Sequence, residues 1–349
     1  MPNNHEASPI RVLLVEDSLL QLRIIRSVLD ADPHTAVVGT ALNGVEALNV
    51  LPVLKPDVIC TDYHMPVMDG LEFIERAIKL YPCPILVLSI SVQPDQVDNI
   101  FKLLSAGAID VMAKPRVNGG LIGNEDGKKL VERIRILNGV RYIRKANKHP
   151  SFYAGTSRRL GNTSAPKMIV MGASTGGPQA LEVLLPRLKS HFPIPIVCIQ
   201  HISQGFLNGM ITWLSSLTSL VIGIGKAGEF PLPGHLYFPP EGQHLTFANN
   251  GSFVLSLPEV SDTYCPSIDL LFRSAAKVFD SAVLGVLLSG MGRDGAAGMK
   301  SIFDCGGDTI AQDEESSIIY GMPAVALHAG VVCNVQPPKE IAHYFNGLV

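Results

Sequence analysis

The sequence predicts an α/β protein: an N-terminal (βα)5 unit, then a C-terminal doubly wound, mostly parallel sheet with a β-hairpin insertion. Three observations carry this. Short apolar runs alternate with segments of helical spacing five times before residue 114. A basic and then Ser/Gly/Thr/Asn-rich stretch follows, and the same alternation restarts at Met168. The 349 residues, 47% of them hydrophobic, suffice for two packed cores and exclude a disordered chain.

In the first unit, residues 10–15 read as a strand. Residues 18–29 read as a helix with Leu22, Ile25, Val28 and Leu29 on one face. Strand and helix then alternate over 36–40 and 45–54, 58–61 and 71–80, 84–89 and 95–105, ending with a fifth strand over 108–113. Each strand is followed by a helix, which implies a parallel sheet covered on both faces. Residues 128–160 hold ten Lys/Arg against one acid, Glu132. Their first part suits a helix, with Leu130, Ile134 and Leu137 aligned, and beyond Asn147 the composition is that of a tether.

In the second unit, strands are expected over 168–171, 196–200, 221–224, 283–289, 309–311 and 331–335. Helices are expected over 179–189, 207–217, 268–279 and 296–303. Asn249-Asn250-Gly251, inside 245–257, signals the turn of a hairpin.

Composition narrows the function. Lys+Arg 28 against Asp+Glu 31 gives a net charge of −3, which argues against nucleic acid as a partner. No apolar run approaches the ~18 residues of a membrane span, so direct membrane insertion is not expected. The N-terminus lacks the basic flank and apolar core of a signal peptide. The six cysteines (60, 83, 198, 265, 305, 333) contain no C-x-x-C pair, and buried thiols in a reducing cytoplasm are expected.

Ligands of an open parallel sheet sit at the carboxyl ends of its strands. In the first unit those ends carry Glu16 and Asp17, Asp62, Ser89, and Lys114 before Pro115. Clustered carboxylates repel unless a cation intervenes, and an oxygen-only set suits Mg2+. With that charge neutralised, Asp62 can attack a phosphoryl group; Lys114 would pair with its oxygens and Ser89 donate a hydrogen bond. The runs Val15-Glu16-Asp17-Ser18, Asp62-Tyr-His-Met-Pro-Val-Met-Asp-Gly70 and Lys114-Pro115 resemble a response-regulator receiver domain. The resemblance covers residues 8–125. It implies Asp62 as phosphoacceptor, Glu16, Asp17 and Asp62 around Mg2+, and a histidine kinase as phosphodonor. Two departures stand out: Val111 lies where such domains often carry an aromatic residue, and Ile90 follows Ser89 where small residues are usual.

In the second unit, Gly172-Ala-Ser174-Thr175-Gly176-Gly177-Pro178 separates a strand from a helix. A dinucleotide loop would need glycine at position 174 and an acid after the next strand, where Gln200-His201 stands. Gly172-x-Ser174-x-Gly176 fits a nucleophile turn instead. A hydroxyl needs a base, and His201 ends the neighbouring strand; the imidazole needs a carboxylate, and Asp294 follows another buried strand. Backbone N–H groups around Gly290-Met291-Gly292 and after Ser174 are candidate oxyanion donors. Taken singly, Ser174 could cap a helix, His201 end a strand, and Asp294 cap the helix through Met299. Their coincidence on one sheet edge favours a Ser-His-Asp triad.

Gly172–Gly177, Gln200-His201, Leu232-Pro-Gly-His-Leu-Tyr237, Leu271-Phe-Arg-Ser-Ala275, Ser289-Gly-Met-Gly-Arg-Asp-Gly295, Thr309-Ile-Ala-Gln-Asp313 and Tyr320-Gly-Met-Pro323 are similar to the chemotaxis protein-glutamate methylesterase family. The resemblance implies a serine hydrolase with no cofactor in the esterase site. It would hydrolyse glutamyl γ-methyl esters on methyl-accepting chemoreceptors and deamidate certain receptor glutamines. It implies Ser174, His201 and Asp294 as the catalytic set and Thr175 and Met291 as positioning residues. It further implies domains at 8–125 and 166–349 joined by a basic helix and linker at 126–165, and a cytoplasmic location near receptor arrays. Where relatives carry basic residues before the Pro266-Ser267 pair, this chain has Tyr264-Cys265, and Arg293 precedes Asp294. Phosphorylation at Asp62 is expected to control the esterase, with the unphosphorylated first domain covering the Ser174 cleft and the basic segment helping to dock the receptor. Competing readings are a phosphorylation-gated interaction module without catalysis and a general esterase of small substrates.

Overall fold

The computed structural model describes residues 8–89, 94–115, 117–118, 121–122, 124–139 and 166–349. The chain divides into two compact units between residues 147 and 148.

The first unit holds strands β1 (Ile10–Val15), β2 (Thr35–Ala41), β3 (Val58–Asp62), β4 (Ile85–Ser89) and β5 (Asp110–Ala113) in one sheet of order β2-β1-β3-β4-β5. All neighbours are parallel. Helices α1 (Leu19–Asp30), α2 (Gly44–Leu54), α3 (Gly70–Leu80), α4 (Pro94–Ala106) and α5 (Asn124–Asn138) complete it, with a two-residue pairing of β6 (Val117–Asn118) and β7 (Leu121–Ile122). Ser18, Asn43 and Asp69 cap α1, α2 and α3 through their side chains, which fixes where each helix leaves the carboxyl edge. β3 and β4 are buried along their whole length, as a central strand covered on both faces requires. In α5, Leu130, Ile134 and Leu137 are buried against α1 and strands β1, β3 and β4. Its basic side chains find partners on the same unit, Arg133 with Asp110 (2.8 Å) and Arg135 with Asp32 (2.8 Å). Ile90 and the expected tether beyond Asn147, to residue 165, lie outside the described residues.

The second unit is built on a seven-stranded parallel sheet of order β10-β11-β9-β8-β14-β15-β16. Its strands are β8 (Met168–Ala173), β9 (Ile196–Gln200), β10 (Val221–Ile224), β11 (His235–Phe238), β14 (Val283–Leu287), β15 (Asp308–Gln312) and β16 (Asn334–Gln336). Strands β12 (His244–Phe247) and β13 (Phe253–Ser256) form the antiparallel hairpin. Its helices are α6 (Gly177–Leu184), α7 (Leu207–Ser215), α8 (Ile268–Phe279), α9 (Ala296–Asp304), α10 (Met322–His328) and α11 (Pro338–Gly347). The sheet reverses its winding between β8 and β14, the adjacent pair at its centre, and that is where an open α/β sheet leaves a crevice.

Differences from the sequence reading have local causes. The expected helix over 179–189 ends at Leu184, because Pro186 converts the remainder to a 3-10 turn, Leu185–Arg187. β11 is four residues between Pro233-Gly234 and Pro239-Pro240, too short for an alternation to show. The last strand starts at Asn334, not Val331. Among the described residues no helix is long and apolar enough to cross a membrane.

Candidate active site

Parallel register puts the first two residues together. β8 pairs with β9 so that Gly172 faces Ile199 and Ala173 faces Gln200; Ser174 and His201 therefore leave the sheet side by side. The His201 N–H donates to the Ala173 carbonyl (2.8 Å), and the Ser174 N–H donates to the Ser289 carbonyl just beyond β14 (3.0 Å). The turn after Ser174 needs glycine at position 176, whose φ is +85° and whose added Cβ would collide with Ser289 Oγ. It also needs Gly290, because a Cβ there would stand 2.7 Å from the Ser174 Cβ.

Asp294 lies between β14 and α9, and its carboxylate enters the N-terminus of α8. It accepts from the Ile268 N–H (2.8 Å), the Asp269 N–H (3.0 Å), the Gly295 N–H (3.0 Å) and the Ser267 hydroxyl (3.3 Å). The sequence reading offered it as a possible cap for its own following helix. That place is held by Gly295, and Asp294 serves the neighbouring helix instead. Its remaining interaction is with His201, Nε2 to Oδ2 at 3.0 Å. Burial alone would raise its pKa, but the His201 bond and charge and the backbone donors outweigh that and hold it below the ordinary carboxylate value. Asp269, in the first turn of α8, returns the interaction by accepting from Gly298 N–H of α9 (2.6 Å).

His201 Nε2 also lies 3.1 Å from the Pro266 carbonyl. Both neighbours of Nε2 are acceptors, so the proton of a neutral ring resides there and Nδ1 keeps its lone pair. A base at this site therefore acts through Nδ1. The structure joins the imidazole to Asp294 but not to the Ser174 hydroxyl, so two of the three expected members are in contact. Nucleophile–base bonds are commonly loose without substrate. Ser174 and Thr175 are buried, and the Thr175 carbonyl accepts from Ser289 Oγ (2.8 Å). Met291 is exposed, next to Gly290, whose carbonyl takes the N–H groups of Gly321 (3.1 Å) and Met322 (2.8 Å).

At the carboxyl edge of the five-stranded sheet, Lys114 Nζ lies 2.6 Å from Glu16 Oε2 and 2.7 Å from Asp62 Oδ2. One carboxylate oxygen each of Glu16, Asp17 and Asp62 falls within 4.8 Å of the others, a spacing that can hold one cation. Burial, opposed by Lys114 and reinforced by the Asp62 charge, pushes the Glu16 carboxyl above its ordinary value. Asp62 Oδ1 accepts from the Tyr63 N–H (2.7 Å). Ser89 ends β4, buried, and its carbonyl takes the Lys114 N–H (2.8 Å). After Asp62, Val67 is held at φ +68°, rare for a β-branched residue, where the Met68 N–H turns back onto the Pro66 carbonyl (2.8 Å). Val111 is buried within β5.

Both units match known families. Residues 169–345 match the CheB methylesterase family and residues 12–135 the response regulator receiver domain. The chain belongs to the CheB methylesterase family. It is an enzyme of the methylesterase class carrying a receiver domain. Among its relatives, a protein-glutamate methylesterase/protein-glutamine glutaminase of Nitrosospira multiformis is 36% identical over 344 residues, 97% of each chain. One of the same name from Methanospirillum hungatei is 38% identical over 345 residues, 97% of this chain and 98% of that one. The CheB methylesterase catalytic domain of Thermotoga maritima superposes with a TM-score of 0.51 at 34% identity, covering 53% of this chain and 100% of that one.

Three residues of this CheB-family chain escape a reading of motifs alone. Gln200 enters the motifs only as the neighbour of His201, yet its Nε2 donates to the carbonyls of Ser174 (2.8 Å) and His201 (2.9 Å) and so ties the two strand ends. Tyr264 belongs to no motif by its chemistry, and its ring stacks on His201. His244 carries no motif; it is fully buried beside Asp262 and Ser267. A glutamine buried at a strand end was the single legible signal.

Proposed function

We propose that this chain hydrolyses glutamyl γ-methyl esters on the cytoplasmic helices of methyl-accepting chemoreceptors, deamidates receptor glutamines at the same site, and does so under phosphorylation control. The observation that carries the reading is His201. Its Nε2–H is bound by Asp294, which leaves Nδ1 as the ring's acceptor, and the residue itself follows the strand end beside the one that Ser174 follows. Ser174 Oγ attacks the ester carbonyl while Nδ1 accepts its proton, and Asp294 stabilises the imidazolium. Backbone N–H groups at Thr175 and Met291 are the proposed donors to the tetrahedral oxyanion, helped by the N-terminus of α6. The C–O bond to methanol then breaks, and the imidazolium returns its proton to the leaving oxygen. Water repeats the sequence on the acyl-serine, releasing glutamate and restoring Ser174. For glutamine the leaving group is ammonia.

In the receiver unit, Asp62 accepts a phosphoryl group from the phosphohistidine of a chemotaxis histidine kinase: the P–N bond breaks and an acyl phosphate forms. The donor set of three carboxylates fits a hard divalent ion, and Glu16, Asp17 and Asp62 would hold Mg2+, which neutralises charge in the pocket when bound. Lys114 pairs with the phosphoryl oxygens and Ser89 donates to one of them. We assign phosphoacceptance to residues 8–125 and catalysis to 166–349, joined by 126–165, in a cytoplasmic protein working at receptor arrays. Methanol release from methylated receptor, with and without a phosphodonor, tests the reading. Wild type releases methanol faster when phosphorylated, and Ser174→Ala releases none; release by Ser174→Ala at the wild-type rate refutes it.

A further inference from the structure

The segment that carries the Tyr264-Cys265 pair lies directly against His201. The Tyr264 ring lies parallel to the His201 imidazole, with centroids 5.3 Å apart and planes 7° apart. Its hydroxyl reaches the loop beyond β14, where a Cβ on Gly292 (φ +92°) would stand 2.9 Å from Oη. Two residues on, the Pro266 carbonyl accepts from His201 Nε2. One short segment therefore covers a face of the imidazole and binds its edge.

That segment is itself mounted on a buried group. His244 Nδ1 accepts from the Ser267 N–H (3.1 Å), so its proton is on Nε2, which donates to Asp262 Oδ2 (3.1 Å). The same Asp262 oxygen takes the Glu259 N–H (2.7 Å). His244 thus pins the chain on both sides of Tyr264, five hydrogen-bonding atoms from four residues holding one aromatic ring in place. Ser267 also caps α8, the helix whose N-terminus holds Asp294. The mount and the carboxylate share one helix end.

We propose that Tyr264 is a positioning residue for the base of the proposed esterase, an inference that rests on the function argued above. Two acceptors at Nε2 leave the imidazole free to rock about that nitrogen. A parallel ring against its face limits that motion and holds the ring orientation from which Nδ1 acts. An aromatic face also favours the imidazolium that forms when Ser174 is deprotonated. The titratable groups around His201 are Asp294, which touches it, Asp269 of α8 behind Asp294, and Tyr264 itself. The hydroxyl is dispensable in this role and the ring is not.

The test uses the full chain with Tyr264→Phe, Tyr264→Leu and, as the mount, His244→Gln. Methanol release is followed at several substrate concentrations, and the His201 ring signals, assigned by their loss in His201→Gln, are recorded by NMR. Tyr264→Phe retains wild-type kcat within about twofold, whereas Tyr264→Leu loses roughly tenfold or more in kcat with KM nearly unchanged. In Tyr264→Leu the His201 ring signals move and broaden, as those of a rocking ring released from a stacked neighbour do, while in Tyr264→Phe they stay sharp. Thermal midpoints confirm folding, and His244→Gln reproduces the Tyr264→Leu profile in whatever fraction remains folded. Unchanged kcat and His201 ring signals in folded Tyr264→Leu overturn the proposal, as does a change confined to KM, which would make Tyr264 a substrate contact. The NMR measurement needs no turnover. An inactive wild type or an active Ser174→Ala would fail the esterase reading without touching this result.

Discussion

His201 has two ring nitrogens, and its surroundings leave one of them to act as a base. Asp294 and the Pro266 carbonyl both require a proton on Nε2. Asp294→Asn puts an amide where a carboxylate faces an imidazole and the backbone donors of α8. Its NH2 must face at least one donor, and the imidazolium loses its counter-charge. The expected outcome is a fall in kcat of about 1,000- to 10,000-fold with little change in KM, measured as methanol release. The same carboxylate makes a prediction about acid. Its pKa is lower folded than unfolded, so it adds stability to the second unit above the unfolded value near 3.8. That contribution disappears as pH falls through the lower folded value. Glu16 has the opposite sign: its folded pKa is raised, so its ionised form weakens the first unit at neutral pH, and acidification toward the folded value relieves that cost. Mg2+ competes with that proton. Calorimetry should show Mg2+ raising the unfolding midpoint of the first unit at pH 7.5 and raising it less at pH 5. An equal rise at both would contradict the assignment of Glu16 to the cation site.

At the level of elements, α8 and α9 cap each other across the site. Asp294 accepts from the first turn of α8, and Asp269 of α8 accepts from the Gly298 N–H of α9. Asparagine at 269 keeps an acceptor for Gly298 and removes a charge that burial already disfavours. Asp269→Asn should therefore stay within ~0.5 kcal/mol of wild type in denaturant unfolding, while Asp269→Ala costs about 1–2 kcal/mol and lowers kcat as Asp294 loosens. Equal losses in the two variants would show that charge, not the acceptor, matters. The exchange was not legible in the sequence, because it joins positions 25 to 29 apart through backbone donors that carry no residue signature. Most strands and helices were legible, since 168–173 and 283–287 are continuous apolar runs and 268–279 keeps one apolar face. β11, α10 and α11 were missed because each is short or enters the fold behind a proline, where periodicity has no room to develop. Among the proposed site residues, Ser174, His201 and Asp294 are legible by their chemistry at strand ends. Tyr264 and His244 act through ring stacking and a buried bond, which only three-dimensional placement reveals.

For the whole molecule, the proposed control links two sets of residues on separate units. The proposed phosphoacceptor pocket draws on three carboxylates and one lysine, and the proposed esterase set on residues beyond 166. The residues proposed for each activity belong to one unit alone, so the two activities should separate by mutation. Asp62→Asn keeps the shape of its side chain and removes the nucleophile for phosphoryl transfer. Such a variant should retain the basal methanol-release rate of unphosphorylated wild type and lose all stimulation by a small-molecule phosphodonor. Ser174→Ala should take up phosphate at Asp62 as wild type does while releasing no methanol. Measured side by side, the pair makes a two-way dissociation that a shared or composite site could not produce. Loss of basal esterase activity in folded Asp62→Asn would mean that the receiver carboxylate serves catalysis directly. Independence of the two sets of residues would then have to be abandoned.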